Sequence, residues 1–161
     1  MVMMSEKDKK ELNQKIQEIS DYYYGVEREE EAIQSLRELS LEYMEEDIAK
    51  CCFEFDYDQS LLTSFLGIAG NNKVEKYLRL LMKKNSSNDN LVSCATGLAG
   101  LNIDEGFEIL EKLASKIHVR SESVYYVFYD VYSFLEPVDN PRANQLKEDI
   151  RNGKYGKFGN N

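Results

Sequence analysis

The chain has 161 residues, of which 42% are hydrophobic and 30% charged, with nine Gly, two Pro, one His and no Trp. That length suits one domain or a short array of helical units, which removes roughly 70% of its unfolded surface from water without help from disulfides or metals. The composition excludes collagen-like, low-complexity and wholly disordered chains, and the net charge of −9 argues against a surface that holds nucleic acid or anionic lipid by neutralising phosphates.

Apolar residues recur at three-and-four spacing almost throughout, and proline is absent before Pro137, so the chain reads as all-α. In the first predicted helix Leu12, Ile16, Ile19 and Tyr23 form one stripe, with Gly25 as its stop. A second stripe carries Ala32, Ile33, Leu36 and Leu39, and a third carries Leu41, Met44, Ile48, Cys51 and Phe55. No Gly or Pro separates these two, so spacing leaves open whether residues 27–55 are one bent rod or a tight helical pair.

Asp58 is read as the N-cap of the next helix, through Leu61, Leu62, Phe65 and Ile68. From there the chain repeats with a shift of thirty residues: LLTSFLGIAGNNKVEKYLRL at 61–80 lies over LVSCATGLAGLNIDEGFEIL at 91–110, with seven identities in twenty. Each copy reads as helix, short turn, helix. Gly67 and Gly97 are expected inside a helix where a neighbour approaches closely, and Gly70 and Gly100 are expected to end it in the left-handed conformation. A looser third copy places Val124, Val127, Phe128, Val131 and Leu135 on one helix, followed by a turn at 136–139 and a last helix from Pro141 to Ile150 capped by Asn140 or Asp139. The β-branched and aromatic run SVYYVFYDVY would also suit a strand, but the repeat register predicts helix there. The clearest units are 58–87, 88–117 and 121–151 of a single domain over 1–151, with 152–161 as a flexible, non-periodic tail.

Little of the sequence carries catalytic chemistry. The one His, His118, is read in a turn between two helices, where a surface or capping imidazole is the plain expectation. Cys94 falls on an inward face and reads as a small core residue. His and Cys are too few for a metal site, and Asp56-Tyr57-Asp58 is only a fragment of a calcium loop, without its glycine. No catalytic residue, metal or cofactor is predicted. An odd count of three cysteines, without redox-pair or zinc-knuckle spacing, points to a reducing cytoplasm. The early charge in MVMMSEKDKK and the lack of a long apolar run predict neither export nor membrane insertion.

Charge and tyrosine are what remain. Residues 1–60 hold 17 acids against 7 bases, whereas residues 61–161 hold 12 against 13, so the whole net charge lies in the first part of the chain. A solvated helix face explains this blandly; a negative surface that steers a basic partner is the functional reading. Among the eleven tyrosines, Tyr125, Tyr129 and Tyr132 form a second stripe on the predicted 124–135 helix, and aromatic anchors of that kind dominate interface energetics. The expected partner-binding residues are Glu42, Tyr43, Glu45, Glu46, Asp47, Asp56, Tyr57 and Asp58, with Tyr125, Tyr129 and Tyr132 as apolar anchors.

The paired motifs LGIAGNN…EKYLRLL and TGLAGLN…EGFEILEKL resemble the HEAT-like α-helical repeats over residues 58–151. That resemblance implies antiparallel helix pairs, about eight or nine helices in all, stacked as an irregular superhelix and used to hold another protein. In size, charge and build the chain also resembles the immunity proteins of bacterial polymorphic or contact-dependent toxin systems. This likeness implies a non-catalytic, cytoplasmic protein that covers the active site of a basic, nuclease-like toxin domain. The alternative expectation is a self-associating or adaptor subunit, joined through the end units or the tyrosine stripe.

Overall fold

The computed structural model describes residues 4–22, 29–56, 60–120 and 123–158. The fold is all-α, with nine α-helices and a single two-stranded hairpin among the described residues. α1 (Glu6–Tyr22) begins where Ser5 Oγ accepts the Asp8 N–H at 3.1 Å, and it buries Leu12 and Ile16 as its stripe predicts. Tyr23, Gly25 and Asp58 lie outside the described residues.

α2 (Glu29–Leu39) and α3 (Glu45–Phe55) are two helices, which settles the question of residues 27–55. α2 ends where the Ser40 hydroxyl and amide both bond the Arg37 carbonyl and the amides of Glu42 and Tyr43 turn back onto Leu39. The turn removes Leu41 and Met44 from the expected core stripe: they are 85% and 52% exposed. Ile48, Ala49, Cys51 and Cys52 remain buried.

The interior is built on α4 (Leu61–Ile68) and α6 (Asn88–Gly100), with α6 packed against α4, α5 (Glu75–Lys84), α7 (Asp104–Ala114) and α8 (Phe128–Leu135). A helix surrounded on several sides must be apolar and small all round, and α6 is buried from Val92 to Ala99. Gly67 and Gly97, equivalent in the repeat, face each other: a Cβ on Gly67 would lie 2.8 Å from the Gly97 carbonyl carbon. Gly70 closes α4 at φ +95° as expected, but Gly100 does not close α6 in the same way; the left-handed residue is Asn102, at φ +61°. Gly100 is instead helical and lets α4 approach, since a Cβ there would meet Ile68 Cα at 2.6 Å.

Two asparagines start helical turns and hold earlier elements at once. Asn71 accepts from the Lys73 N–H at the 3-10 turn Asn72–Val74 and donates to the Glu45 carbonyl. Asn140 caps α9 (Pro141–Arg151) by accepting from the Ala143 N–H, with Pro141 in the first turn, and donates to the Ala99 carbonyl at 2.9 Å.

The third copy departs from its register. Strands β1 (Ile117–Arg120) and β2 (Ser123–Tyr126) form an antiparallel hairpin, pairing Ile117 with Tyr126 and Val119 with Val124, and the Val127 amide extends it to the Lys116 carbonyl. The dense β-branched and aromatic residues prevail over the repeat here, so His118 lies on a strand, not in a turn between helices, and Val124 and Tyr125 are not helical. α8 begins only at Phe128, with Phe128, Val131 and Leu135 buried as predicted. Within the expected tail of 152–161, Phe158 packs on Phe128, Tyr129 and Tyr132, and residues 159–161 lie outside the described residues. Among the described residues no helix is long and apolar enough to cross a membrane.

Candidate partner-binding surface

The predicted acids gather around the α2–α3 turn, where two of them meet bases from other helices. Lys15 of α1 bonds the Glu42 carboxylate and stands 5.4 Å from the Tyr43 ring centroid; the bond to Glu42 raises the Lys15 pKa. Glu46 accepts from Lys76 Nζ at 2.6 Å and from the Tyr77 hydroxyl at 3.1 Å, and the Lys76 bond holds its carboxyl below the usual range. Phe53 stacks on Tyr77 at 4.8 Å. Glu45 is exposed and Asp47 half-buried.

Asp56 belongs elsewhere. It is buried, and its carboxylate accepts the Leu62 N–H at 3.3 Å and both the N–H and hydroxyl of Thr63 at 2.6 Å, capping α4 from below. Burial pushes its pKa up to about 6, against the opposing pull of those hydrogen bonds. As a capping group it is no surface contact, which corrects its place among the expected partner-binding residues. Tyr57 and Asp58 lie outside the described residues.

Between α1 and α2 runs a groove of about 410 Å³, lined by the apolar Ile19, Ala32 and Leu39 and by Lys15, Glu18, Glu38 and Glu42, with Lys15 bonded to Glu42. Of the charged residues here only Glu42 is among the expected partner-binding residues; Lys15, Glu18 and Glu38 are not, although the signal for the two acids is simple: Glu18 directly precedes Ile19 in the first apolar stripe, as Glu38 directly precedes Leu39 in the second. Residues flanking a buried stripe come to line the groove when two stripes face each other.

Tyr43 belongs to this surface, but Tyr125, Tyr129 and Tyr132 do not join it. α3 packs on α1, α4 and α5, whereas α8 packs on α6, α7 and α9. Tyr125 sits on β2, with its hydroxyl on the Asp130 carboxylate, and is not part of a helical stripe. Tyr129 and Tyr132 do share a face of α8, and Phe158 covers it.

Candidate catalytic groups are few. All three cysteines are buried thiols, with Cys51 and Cys94 pushed up to about 11 by desolvation. Among the described residues no group of three or more His, Cys, Asp or Glu is placed to hold a metal ion. No protein-family profile, curated protein or solved structure matches this chain.

Proposed function

We propose that the chain is a non-catalytic protein-binding module whose acidic N-terminal face receives a basic partner protein. The observation that supports this reading best is the α1–α2 groove, whose lining combines three apolar side chains with three carboxylates and one ammonium. A lining of that kind gains from burying aliphatic stems, and its carboxylates pair with the charged ends of Lys or Arg, whose side chains carry both. Leu41 and Met44, next in sequence to Glu42 and Glu45, add exposed apolar area in the same α2–α3 turn. The partner class that fits is a basic toxin domain, nuclease-like, whose phosphate-binding surface such acids would cover.

The test is binding to the product of the neighbouring gene, measured across salt concentrations. The double substitution Glu18→Lys and Glu38→Lys should weaken binding about tenfold or more at low salt and less at high salt, because such charges act through screened, long-range attraction. Unchanged affinity in the folded double variant, or no complex at all, would overturn the reading.

A further inference from the structure

Strands β1 and β2 make a sheet of two strands, so each has one side of its backbone unpaired. The ladder shows which groups those are. The Val127 amide donates to the Lys116 carbonyl, and antiparallel pairs alternate between bonded and unbonded. His118 with Tyr125 and Arg120 with Ser123 are therefore the bonded pairs of the register. The amides and carbonyls of Ile117 and Val119 on one edge, and of Val124 and Tyr126 on the other, point away from the hairpin. None of them has a hydrogen-bond partner among the described residues.

The two edges differ in charge. β1 carries His118 and Arg120 and follows Lys116, the kind of charge that guards an edge against pairing. β2, with the sequence Ser-Val-Tyr-Tyr, carries none. It is also open: Val124 and Tyr125 are exposed, as is Ile117 on β1, and only Tyr126 of these neighbours packs on the core. The hairpin packs chiefly on itself, and two strands alone are marginally stable in water. An unguarded, neutral edge beside a guarded one is the arrangement expected where one side of a sheet is meant to be extended.

We infer that the β2 edge is an interface between two copies of this chain, which join antiparallel about a twofold axis into one four-stranded sheet. The strand is self-complementary in the register this requires. With Tyr125 on the axis, Val124 faces the partner's Tyr126 and the two exchange N–H and C=O bonds. Symmetry repeats the pair, so all four outward groups of each β2 are satisfied. The same construction on β1 centres on His118 and sets Arg120 against the partner's Lys116, a like-charged pair. Joining β1 of one copy to β2 of the next leaves an edge open at each end and builds a filament. The symmetric β2 pairing closes, and leaves the charged β1 edges outermost. This inference is independent of the acidic groove between α1 and α2.

Sedimentation equilibrium of the full chain, from micromolar to millimolar concentration, should show monomer giving way to dimer and to nothing larger. Val124→Pro removes an outward amide and no hydrogen bond within the hairpin, so the variant should fold and should dimerise at least about tenfold more weakly. Tyr125→Cys puts two thiols on the axis, where unbonded antiparallel partners stand about 4.5 Å apart between Cα atoms, within disulfide reach. The three native cysteines are buried. Mild oxidation should therefore link Tyr125→Cys into a dimer that reductant releases, and should leave Ile117→Cys, on the other edge, unlinked. Sedimentation of the wild type and this cross-linking decide the matter if Val124→Pro fails to fold. A wild-type chain that stays monomeric at millimolar concentration or forms larger assemblies would overturn the inference. So would linkage of both cysteine variants alike or of neither, or a folded Val124→Pro chain that dimerises as the wild type does.

Discussion

Gly67 of α4 and Gly97 of α6, thirty residues apart in sequence, meet so closely that a methyl group on Gly67 would come 2.9 Å from Gly97 Cα. Alanine is the better helix former by about 1 kcal/mol, yet here its methyl meets backbone that has no side chain to rotate away. Overpacking of that kind costs about 1–3 kcal/mol or more, so Gly67→Ala should lower stability in chemical denaturation by about 2 kcal/mol. A variant as stable as the wild type would show that α4 and α6 are not in this contact in solution.

Asp56 couples stability to pH. Burial raises its folded pKa from 3.8 to about 6, so the folded chain favours the protonated carboxyl. The associated stability is fully present below about pH 4 and is lost as pH rises through about 6, a total of about 3 kcal/mol. Asp56→Asn removes the titration while keeping an acceptor for Thr63. Its stability relative to wild type should therefore rise by about that amount between about pH 4 and about pH 7.5. Urea denaturation at the two pH values measures this, and a constant difference would contradict it.

The thiols make a chemical prediction. With Cys51 and Cys94 pushed up to about 11, roughly one of these thiols in ten thousand is ionised at neutral pH, burial raises Cys52 as well, and the thiolate is the reacting form. The native chain should resist iodoacetamide for hours and take up three equivalents once unfolded in concentrated guanidinium. Rapid native labelling of Cys94 would show that α6 is not the enclosed helix described above.

Much of the helical architecture is legible in single residues. The stripes of α1 and α2 and a cap at Asn140 or Asp139 follow from local spacing, because each rule acts within a turn or two of helix, and the thirty-residue repeat marks Gly67 and Gly97 as places of close approach without saying that they meet each other. What misleads is competition between rules of similar strength. At 117–126 a β-prone run opposes a helical repeat, and strand pairing prevails between partners that spacing alone does not bring together. At Leu41 and Met44 the apolar stripe continues through a turn that Ser40 closes by hydrogen bonding. The site is harder still to read: Asp56 looks like one more surface acid until tertiary packing buries it under α4, and Glu18 gains meaning only when α2 lies across from it.

The side chains of Asn71 and Asn140 tie the start of a helical turn to a residue far back in the sequence. Each begins a later helical turn with one end while gripping the carbonyl of a residue much earlier in sequence, Glu45 in one case and Ala99 in the other. Because a short helix seldom nucleates alone, the Ala99 carbonyl supports α9 by holding the residue that caps it. A polypeptide leaving the ribosome N-terminus first presents each of these carbonyls before the asparagine that needs it.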